Sequence, residues 1–161
     1  MRTGDVPAQL YGEDFRVGFS FSGDEREMTG KDFEAFAALT GDVHPIHYDS
    51  AYAAGTQFGR PVAHGLLLVG LSALGATALS RQLHASMIAF VGQGAEFRRP
   101  VFIGDRITPR YTVTSLKQEN GKTRGLVRFQ VLQVNAAEEI CVQGFHVYML
   151  RWKRPPAGGT A

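Results

Sequence analysis

The first half of the chain has apolar residues that recur with a helical period. Over positions 33–39 they lie at i, i+3 and i+4, which predicts a helix that ends at Gly41. Thr29 or Asp32 is placed to cap the first turn of this helix. A second, shorter helix is predicted over positions 49–54, because Asp49 or Ser50 can cap its start and Gly55 ends it.

A long run without formal charge follows, from position 61 to position 80, provided that His64 is neutral. Its many leucines predict one long helix from about Ala63 to Leu79. A membrane span needs ~20 mostly apolar residues, so a transmembrane helix is one interpretation. Several Gly, Ser and Thr residues interrupt the run and no partner span accompanies it, which favours a helix surrounded by the rest of a soluble domain.

The second half of the chain has the shorter period of β-strands. Four strands are predicted, over residues 87–97, 106–117, 123–134 and 139–152. Asn120 and Gly121 lie between the second and the third of these and predict a hairpin with a type I′ turn. A short strand is a further candidate over residues 16–21. Strands that follow helices, rather than alternate with them, favour an α+β fold in which an antiparallel sheet wraps around the long apolar helix.

Length and composition fit one soluble domain. We interpret the 161 residues as a single unit, with an irregular arm over residues 1–15 and a disordered tail over residues 154–161. Seventeen Lys and Arg against fifteen Asp and Glu give a formal charge of +2, which excludes nucleic-acid binding by bulk charge. The single cysteine, Cys141, excludes an intrachain disulfide framework and a cysteine-rich zinc module. The first residues do not resemble a secretory leader, so we expect a cytoplasmic protein that does not bind membranes.

The segment 40–47 holds the most concentrated candidate chemistry. Asp42, His44 and His47 lie within six residues, beside a proline that keeps the backbone out of a regular helix. A carboxylate and a neutral imidazole in one cleft can share a water molecule and exchange its proton, which is general acid–base chemistry. Two alternatives stay open: Asp42 caps a turn while His47 is a surface residue, or the three side chains bind a metal ion. Pro45 and the lack of a further Cys or His pair weigh against the metal site.

A second candidate lies where the long helix is predicted to begin. The first N–H groups of a helix have no intrahelical acceptor and can therefore bind an oxyanion. Gly65, which follows His64, has no Cβ to block the approach of a substrate carbonyl to its N–H. Removal of one such donor typically costs ~10²–10³ in rate. The alternative is that Gly65 only lets the sheet pack closely on the helix.

Three blocks of sequence resemble, in order, the signature of the MaoC-like dehydratases, the group of the (R)-specific enoyl-CoA hydratases. They are residues 36–47 with 51–54, residues 58–67 and residues 101–105. The resemblance covers about residues 20–150. It implies a hot-dog fold, in which an antiparallel sheet wraps around one long central α-helix. It also implies a homodimer whose acyl thioester lies in a tunnel near the subunit interface.

The resemblance further implies roles for individual residues. Asp42 and His47 are expected to be the catalytic pair that activates water, and the backbone N–H of Gly65 is expected to polarise the thioester carbonyl. Neither a metal nor another cofactor is required. Two positions depart from the family pattern. His44 stands where an Asn is usual, and Ala73, which follows a serine, stands where some members have a Ser that hydrogen-bonds the catalytic Asp.

The predicted substrate-binding residues are His44 and His64, beside the catalytic pair, and two arginines before the third block. Arg98 and Arg99 are candidates for the phosphates of CoA, because the guanidinium group matches phosphate geometry. Further cationic candidates are Arg60 and Lys117.

We therefore expect reversible hydration and dehydration of 2-enoyl and 3-hydroxyacyl thioesters of CoA, or of a carrier protein, by a homodimer or a dimer of dimers. One alternative is a hot-dog thioesterase, which uses the same tunnel but directs water at the carbonyl carbon. The other is a non-catalytic hot-dog protein that only binds acyl groups.

Overall fold

The computed structural model describes residues 8–154. The predicted tail lies outside this range apart from Arg154, as do the first seven residues of the predicted arm. The rest of the arm is irregular apart from a 3-10 helix at Gly12–Asp14, and it is packed rather than loose. A Cβ at Gly12 would lie 2.1 Å from the Trp152 indole, and Phe15 is only 6% exposed, so this segment belongs to the core.

The second half of the chain forms an antiparallel sheet with two short strands from the first half. The strands are β1 (Ser20–Ser22), β2 (Arg26–Glu27), β3 (Met87–Phe97), β4 (Arg106–Gln118), β5 (Arg124–Asn135) and β6 (Ile140–Arg151). Their order across the sheet is β1-β4-β5-β6-β3, and β2 also pairs with β4. The four long predicted strands and the α+β class are confirmed, and β3 forms one edge of the sheet.

The hairpin between β4 and β5 is confirmed, but its predicted turn type is wrong. Gly121 has a φ of +64°, whereas Glu138 is the one non-glycine position among residues 8–154 with a positive φ. Asn120 therefore does not adopt the left-handed conformation that a type I′ turn requires of it. The N–H of Lys122 donates to the carbonyl of Glu119 at 3.1 Å, and a loop of this length needs only one left-handed residue.

The two short predicted helices are confirmed, as α1 (Gly30–Thr40) and α2 (Ser50–Ala54). At the start of α1 both predicted caps act together, because the Thr29 hydroxyl accepts from the Asp32 N–H and the Asp32 carboxylate accepts from the Thr29 N–H. Gly41 ends α1 in the left-handed conformation, with a φ of +77°. Asp49 caps α2.

The single long helix predicted from Ala63 to Leu79 is wrong. The structure divides this run into α3 (Gly65–Leu71), a 3-10 helix (Leu74–Ala76) and α4 (Leu79–Gln82). Two tyrosine hydroxyls from the sheet bind the backbone groups that the break releases. Tyr111 donates to the carbonyl of Ser72 at 2.8 Å, and the N–H of Leu74 donates to the hydroxyl of Tyr148 at 3.3 Å.

The broken helical run packs on one face of the sheet and is not enclosed on all sides. Leu68 of α3 is 3% exposed and packs with Val101, Ile107 and Val142, whereas Leu66 is 68% exposed. A larger cluster lies under the 3-10 helix and α4, where Leu74 contacts the core of the sheet. None of the helices within residues 8–154 is both long and apolar enough to cross a membrane. The architecture is the α+β hot-dog fold, with an interrupted helix in its centre.

Candidate active site

A tight turn after α1 holds the first group of predicted site residues. Its Asp42 carboxylate accepts from the backbone N–H of His44 at 3.3 Å. Pro45 then begins a 3-10 helix, Pro45–His47, and the N–H of Ile46 donates to Nδ1 of His44 at 3.3 Å. The fixed φ of proline suits the first position of such a turn. The turn therefore places Asp42 and His47 at its two ends, and the side chain of His44 caps it.

The ring of His47 is held by one strong contact. Its Nδ1 lies 2.7 Å from the carbonyl oxygen of Val62. Since a carbonyl can only accept, Nδ1 bears the hydrogen and a neutral ring keeps its lone pair on Nε2. His47 is half-buried and lines a cavity, so the structure presents an imidazole with a defined tautomer.

His64 lies beneath His47 and supports it. The two rings stack with centroids 3.7 Å apart and planes tilted by 26°, and His64 is only 2% exposed. Burial lowers the pKa of His64, and the neighbouring His47 lowers it further, so this ring is held neutral. His64 is not part of the cavity wall, unlike the other predicted site residues on α3 and at the end of β3.

Tyr48 is a residue that the sequence analysis missed. Its hydroxyl lies 2.9 Å from Nε2 of His64, 3.0 Å from the carbonyl of Asp42 and 3.1 Å from that of Phe33. Because the hydroxyl has one hydrogen and two carbonyls within reach, it donates to a carbonyl and accepts from Nε2 of His64. Burial raises the pKa of Tyr48, which keeps the hydroxyl protonated. Only its position next to His47 in the sequence could have pointed to it.

Asp42, His47 and His64 form a compact group. Each contributes a carboxylate oxygen or ring nitrogen, and these atoms lie within 4.8 Å of one another. A water bonded to two groups at ~2.8 Å from each, with tetrahedral geometry, bridges about 4.6 Å. The carboxylate of Asp42 and a ring nitrogen of His47 are therefore close enough for a single water molecule to contact both.

The metal site considered from the sequence is assembled differently in the structure. His64, and not His44, joins Asp42 and His47, and the centroids of the His44 and His47 rings are 6.4 Å apart. Imidazole binds a metal through a lone pair in the ring plane, and stacked rings direct these lone pairs side by side rather than towards one ion. Nε2 of His64 is occupied by Tyr48, whereas its buried Nδ1 has no hydrogen-bond partner among residues 8–154. This arrangement suits a water-binding acid–base pair better than a metal centre.

The cavity beside this group has a volume of about 510 Å³. His47 and Gly65 line it, together with Phe97, Arg98 and Arg99 at the end of β3. Gly65 is the first residue of α3, so its N–H has no intrahelical acceptor. A Cβ at Gly65 would lie 2.6 Å from Cζ of Phe97, so a larger residue there would have to displace this half-exposed ring. Phe97 was missed in the sequence, although it immediately precedes the predicted arginines.

The two predicted arginines reach the cavity, but both form ion pairs with glutamates. Arg98 pairs with Glu96, and Arg99 pairs with Glu139 at 3.0 Å. Each arginine side chain is 53% exposed, so a phosphate group can compete for it. Arg60 and Lys117 do not line the cavity, and the guanidinium of Arg60 lies over the ring of Phe102, 4.0 Å from its centroid.

Ala73, which departs from the family pattern in the helical run, does not affect Asp42. The hydroxyl of Ser72 donates to the carbonyl of Val69 at 2.7 Å and is buried, and Ala73 has no hydroxyl. The Asp42 carboxylate is bound instead by the N–H of His44, within its own turn.

Comparisons with known proteins identify the family of this chain. The family model of the MaoC like domain matches residues 16–135. An (R)-specific enoyl-CoA hydratase of Aeromonas caviae is 44% identical over 86 residues, which are 53% of this chain and 61% of that protein. A 3-hydroxybutyryl-CoA dehydratase of Methylorubrum extorquens is 36% identical over 115 residues, 71% of each chain.

Among solved structures, a protein of Archaeoglobus fulgidus described as a monoamine oxidase regulatory protein superposes with a TM-score of 0.84. It is 30% identical, and the alignment covers 92% of this chain and 99% of that one. The family model spans Asp42, His47 and Gly65 and every strand of the sheet except β6. The chain therefore belongs to the MaoC-like domain family.

Proposed function

We propose that this protein is a hydro-lyase that catalyses the reversible hydration of 2-enoyl thioesters to 3-hydroxyacyl thioesters. The observation on which this rests is the proximity of Asp42 to His47, with ligand atoms within 4.8 Å, beside a cavity that His47 and Gly65 line. The relatives from A. caviae and M. extorquens, an (R)-specific enoyl-CoA hydratase and a 3-hydroxybutyryl-CoA dehydratase, have activities of the same kind.

The proposed reaction needs one water and returns every proton. The water bound between Asp42 and His47 loses a proton to this pair as its oxygen forms a bond to C3 of the enoyl group. The electron pair of the C2–C3 double bond moves towards the thioester carbonyl, whose oxygen becomes negative. The N–H of Gly65 stabilises this charge. The pair then delivers a proton to C2, and dehydration follows the same steps in reverse.

The substrate is proposed to be a CoA ester. Arg98 and Arg99 are exposed at the rim of the cavity, where they can exchange glutamate partners for phosphates. The cavity has mostly apolar walls next to His47, including Ile46, Val62 and Leu68, which suits the acyl chain. A carrier-protein thioester has the same pantetheine arm. Activity on the CoA ester should therefore be compared with activity on the same acyl group bound to a carrier protein. The proposed location is the cytoplasm, and the single, buried Cys141 is compatible with a reducing compartment.

The working unit is proposed to be a homodimer, alone or as half of a dimer of dimers. Strand β3 is an edge of the sheet, and Phe90 and Val91 on it are 54% and 52% exposed. Leu66 on α3 and Phe97 at the cavity rim are exposed as well. Pairing of β3 with β3 of a second copy would bury these apolar side chains and satisfy the free backbone groups of the edge.

The test measures the consumption of the enoyl thioester and the release of free thiol in the same assay. We expect loss of the enoyl-thioester absorbance on a panel of enoyl-CoA esters, without release of free thiol. D42N should lower the rate by ~10²–10⁴, because it removes one member of the acid–base pair. D49N is the matched control, since Asn also caps a helix and the Asp49 carboxylate caps α2 by accepting the N–H groups of Ala51 and Tyr52.

Three results would refute the proposal. Thiol release at the rate of substrate loss would indicate the thioesterase instead. Equal activity of D42N and the unsubstituted protein would remove Asp42 from the reaction, and binding of enoyl-CoA without turnover would indicate an acyl-binding protein.

A further inference from the structure

The cap on the catalytic turn is a titratable side chain. Nδ1 of His44 accepts the N–H of Ile46, and the N–H of His44 donates to Asp42. Ile46 is the central residue of the 3-10 helix that ends with His47. The same imidazole is thus the cap of the turn whose two ends hold the proposed acid–base pair.

The two histidines of this turn need opposite tautomers. His44 accepts at Nδ1, so its hydrogen is on Nε2 when the ring is neutral. His47 faces a carbonyl with Nδ1, so its hydrogen is on Nδ1. A proton added to His44 can only bind to Nδ1, because that atom has the lone pair, and it abolishes the contact with the N–H of Ile46.

We propose that His44 is a positioning residue that holds the His47 turn only in its neutral form, so that protonation of His44 releases the cap and lowers turnover. An Asn at this position would accept the same N–H through its side-chain oxygen but would not titrate. The histidine therefore adds a response to acid that the usual Asn lacks. The link to turnover rests on the proposed function, whereas the tautomers and the cap do not.

The groups that face His44 come from two elements. On its own turn these are Asp42, whose carboxylate accepts the N–H of His44, and His47, whose ring centroid is 6.4 Å from that of His44. From α2, the ring of Tyr52 meets His44 edge-on, with centroids 5.7 Å apart. His44 is exposed, so protons reach it directly from solvent. Imidazoles titrate in the range of pH 5–8, where such a response affects an enzyme.

The first experiment reads the tautomers without any substrate. The protein is labelled with ¹⁵N-histidine, and two-bond correlations distinguish the protonated ring nitrogen, with H44N and H47Q to assign the signals. At pH 8 we expect the Nε2–H form for His44 and the Nδ1–H form for His47. An Nδ1–H form at His44, or the mixed tautomers of a free imidazole, would overturn the proposal.

The second experiment tests the coupling between the two residues. In the unsubstituted protein, the amide signal of Ile46 and the ring signals of His47 should change as His44 titrates, and in H44N that transition should be absent. Identical titration curves for His47 in both proteins would also overturn the proposal, whether or not the protein turns over any thioester.

The third experiment measures kcat between pH 5 and pH 9 with an enoyl-CoA ester. We expect the fall of kcat on the acid side of this profile to require two protons in the unsubstituted protein and one in H44N. H44N should retain most of the turnover at pH 8. H44A should lose about fivefold at pH 8 through loss of the cap. An identical fall of kcat on the acid side in H44N, or full turnover of H44A, contradicts the positioning role. Absence of hydration in every protein, including the unsubstituted one, would refute the proposed function and leave the tautomer result to decide the cap.

Discussion

Two histidines within residues 8–154 are buried beside a tyrosine hydroxyl, and the two pairs have similar local chemistry. His64 and His146 are 2% and 4% exposed, and in each case a ring nitrogen lies near a tyrosine hydroxyl, at 2.9 Å from Tyr48 and 3.3 Å from Tyr148. Burial lowers the pKa of both histidines and raises that of both tyrosines.

The pairs differ in what lies next to them. His64 stacks on His47, which faces the cavity, and Tyr48 reaches the carbonyl of Asp42. Tyr148 binds the N–H of Leu74 at the break in the helical run, and His146 packs against Phe90. Burial and a shifted pKa are thus common to a functional support and to a structural anchor. The two histidines differ because His64 contacts His47, which lines a cavity and lies near Asp42, whereas His146 packs against Phe90.

The largest expected difference between the two regions is in turnover. H47Q removes the ring that His64 supports, and we expect kcat to fall by ~10²–10⁴ because proton transfer is lost. H146Q should affect mainly stability, since His146 lies away from Asp42 and His47. Steady-state rates with an enoyl-CoA ester and the melting temperature by circular dichroism measure both effects. A similar loss of kcat in the two variants would erase the distinction.

The next effect concerns the beginning of α3. G65A brings a methyl group to 2.6 Å from the Phe97 ring and should displace the ring or the helix terminus, at a cost of up to about 10² in kcat/KM. G70A, in the same helix, meets no atom within 4 Å and should be neutral or stabilise the fold by up to ~1 kcal/mol. Measurement of kcat/KM and of urea unfolding for both variants separates the effect on catalysis from the effect on stability. Full activity of G65A would show that the contact with Phe97 is dispensable.

Removal of the tyrosine hydroxyl from each pair should have smaller effects. Loss of the Tyr148 hydroxyl should mainly lower stability, whereas loss of the Tyr48 hydroxyl should mainly lower turnover. Y148F leaves the N–H of Leu74 without its acceptor, which should cost about 1–3 kcal/mol in the free energy of unfolding. Y48F should lower turnover with less loss of stability, because its hydroxyl is only partly buried. Urea denaturation and kcat are measured on both. The assignment of Tyr148 as a structural anchor fails if Y148F unfolds at the same urea concentration as the unsubstituted protein.

The smallest expected effect is a loss of stability in acid. Both buried histidines have a lowered pKa, so the unfolded chain takes up protons at a higher pH than the folded chain. Stability is therefore complete above the ordinary imidazole pKa of ~6.5 and falls as the pH drops below it, by at most ~1.4 kcal/mol per pH unit for each ring. H146L should make the free energy of unfolding less dependent on pH between 5 and 7. H84N, at an exposed position, is the control and should not change that dependence.

Most of the elements could be predicted from the sequence, because their signals are local. The capping box of α1, the glycine that ends it and the alternation in β5 lie within a few residues of the structure that they produce. The turn from Asp42 to His47 is of the same kind. Its two chemical groups are five residues apart, and Pro45 sets the conformation between them.

The parts that could not be predicted depend on residues distant in the sequence. The apolar run from position 61 to position 80 determined that a helical segment would pack on the sheet. The break at Ser72, however, is stabilised by Tyr111 and Tyr148, which lie 39 and 74 residues from the backbone groups that they bind. Local periodicity contains no information about such partners.

The sequence by itself therefore determined the class of the fold, the order of its strands along the chain and the residues at the ends of the candidate catalytic turn. Only the tertiary structure decided that His64 supports His47 from beneath, that His44 caps the turn and that Phe97 lies against Gly65. Caps and periods act over a few residues, whereas the environment of a side chain is set by whichever distant segments pack against it. For that reason the three neighbouring histidines, nearly equivalent as candidates in the sequence, have three different surroundings in the folded protein.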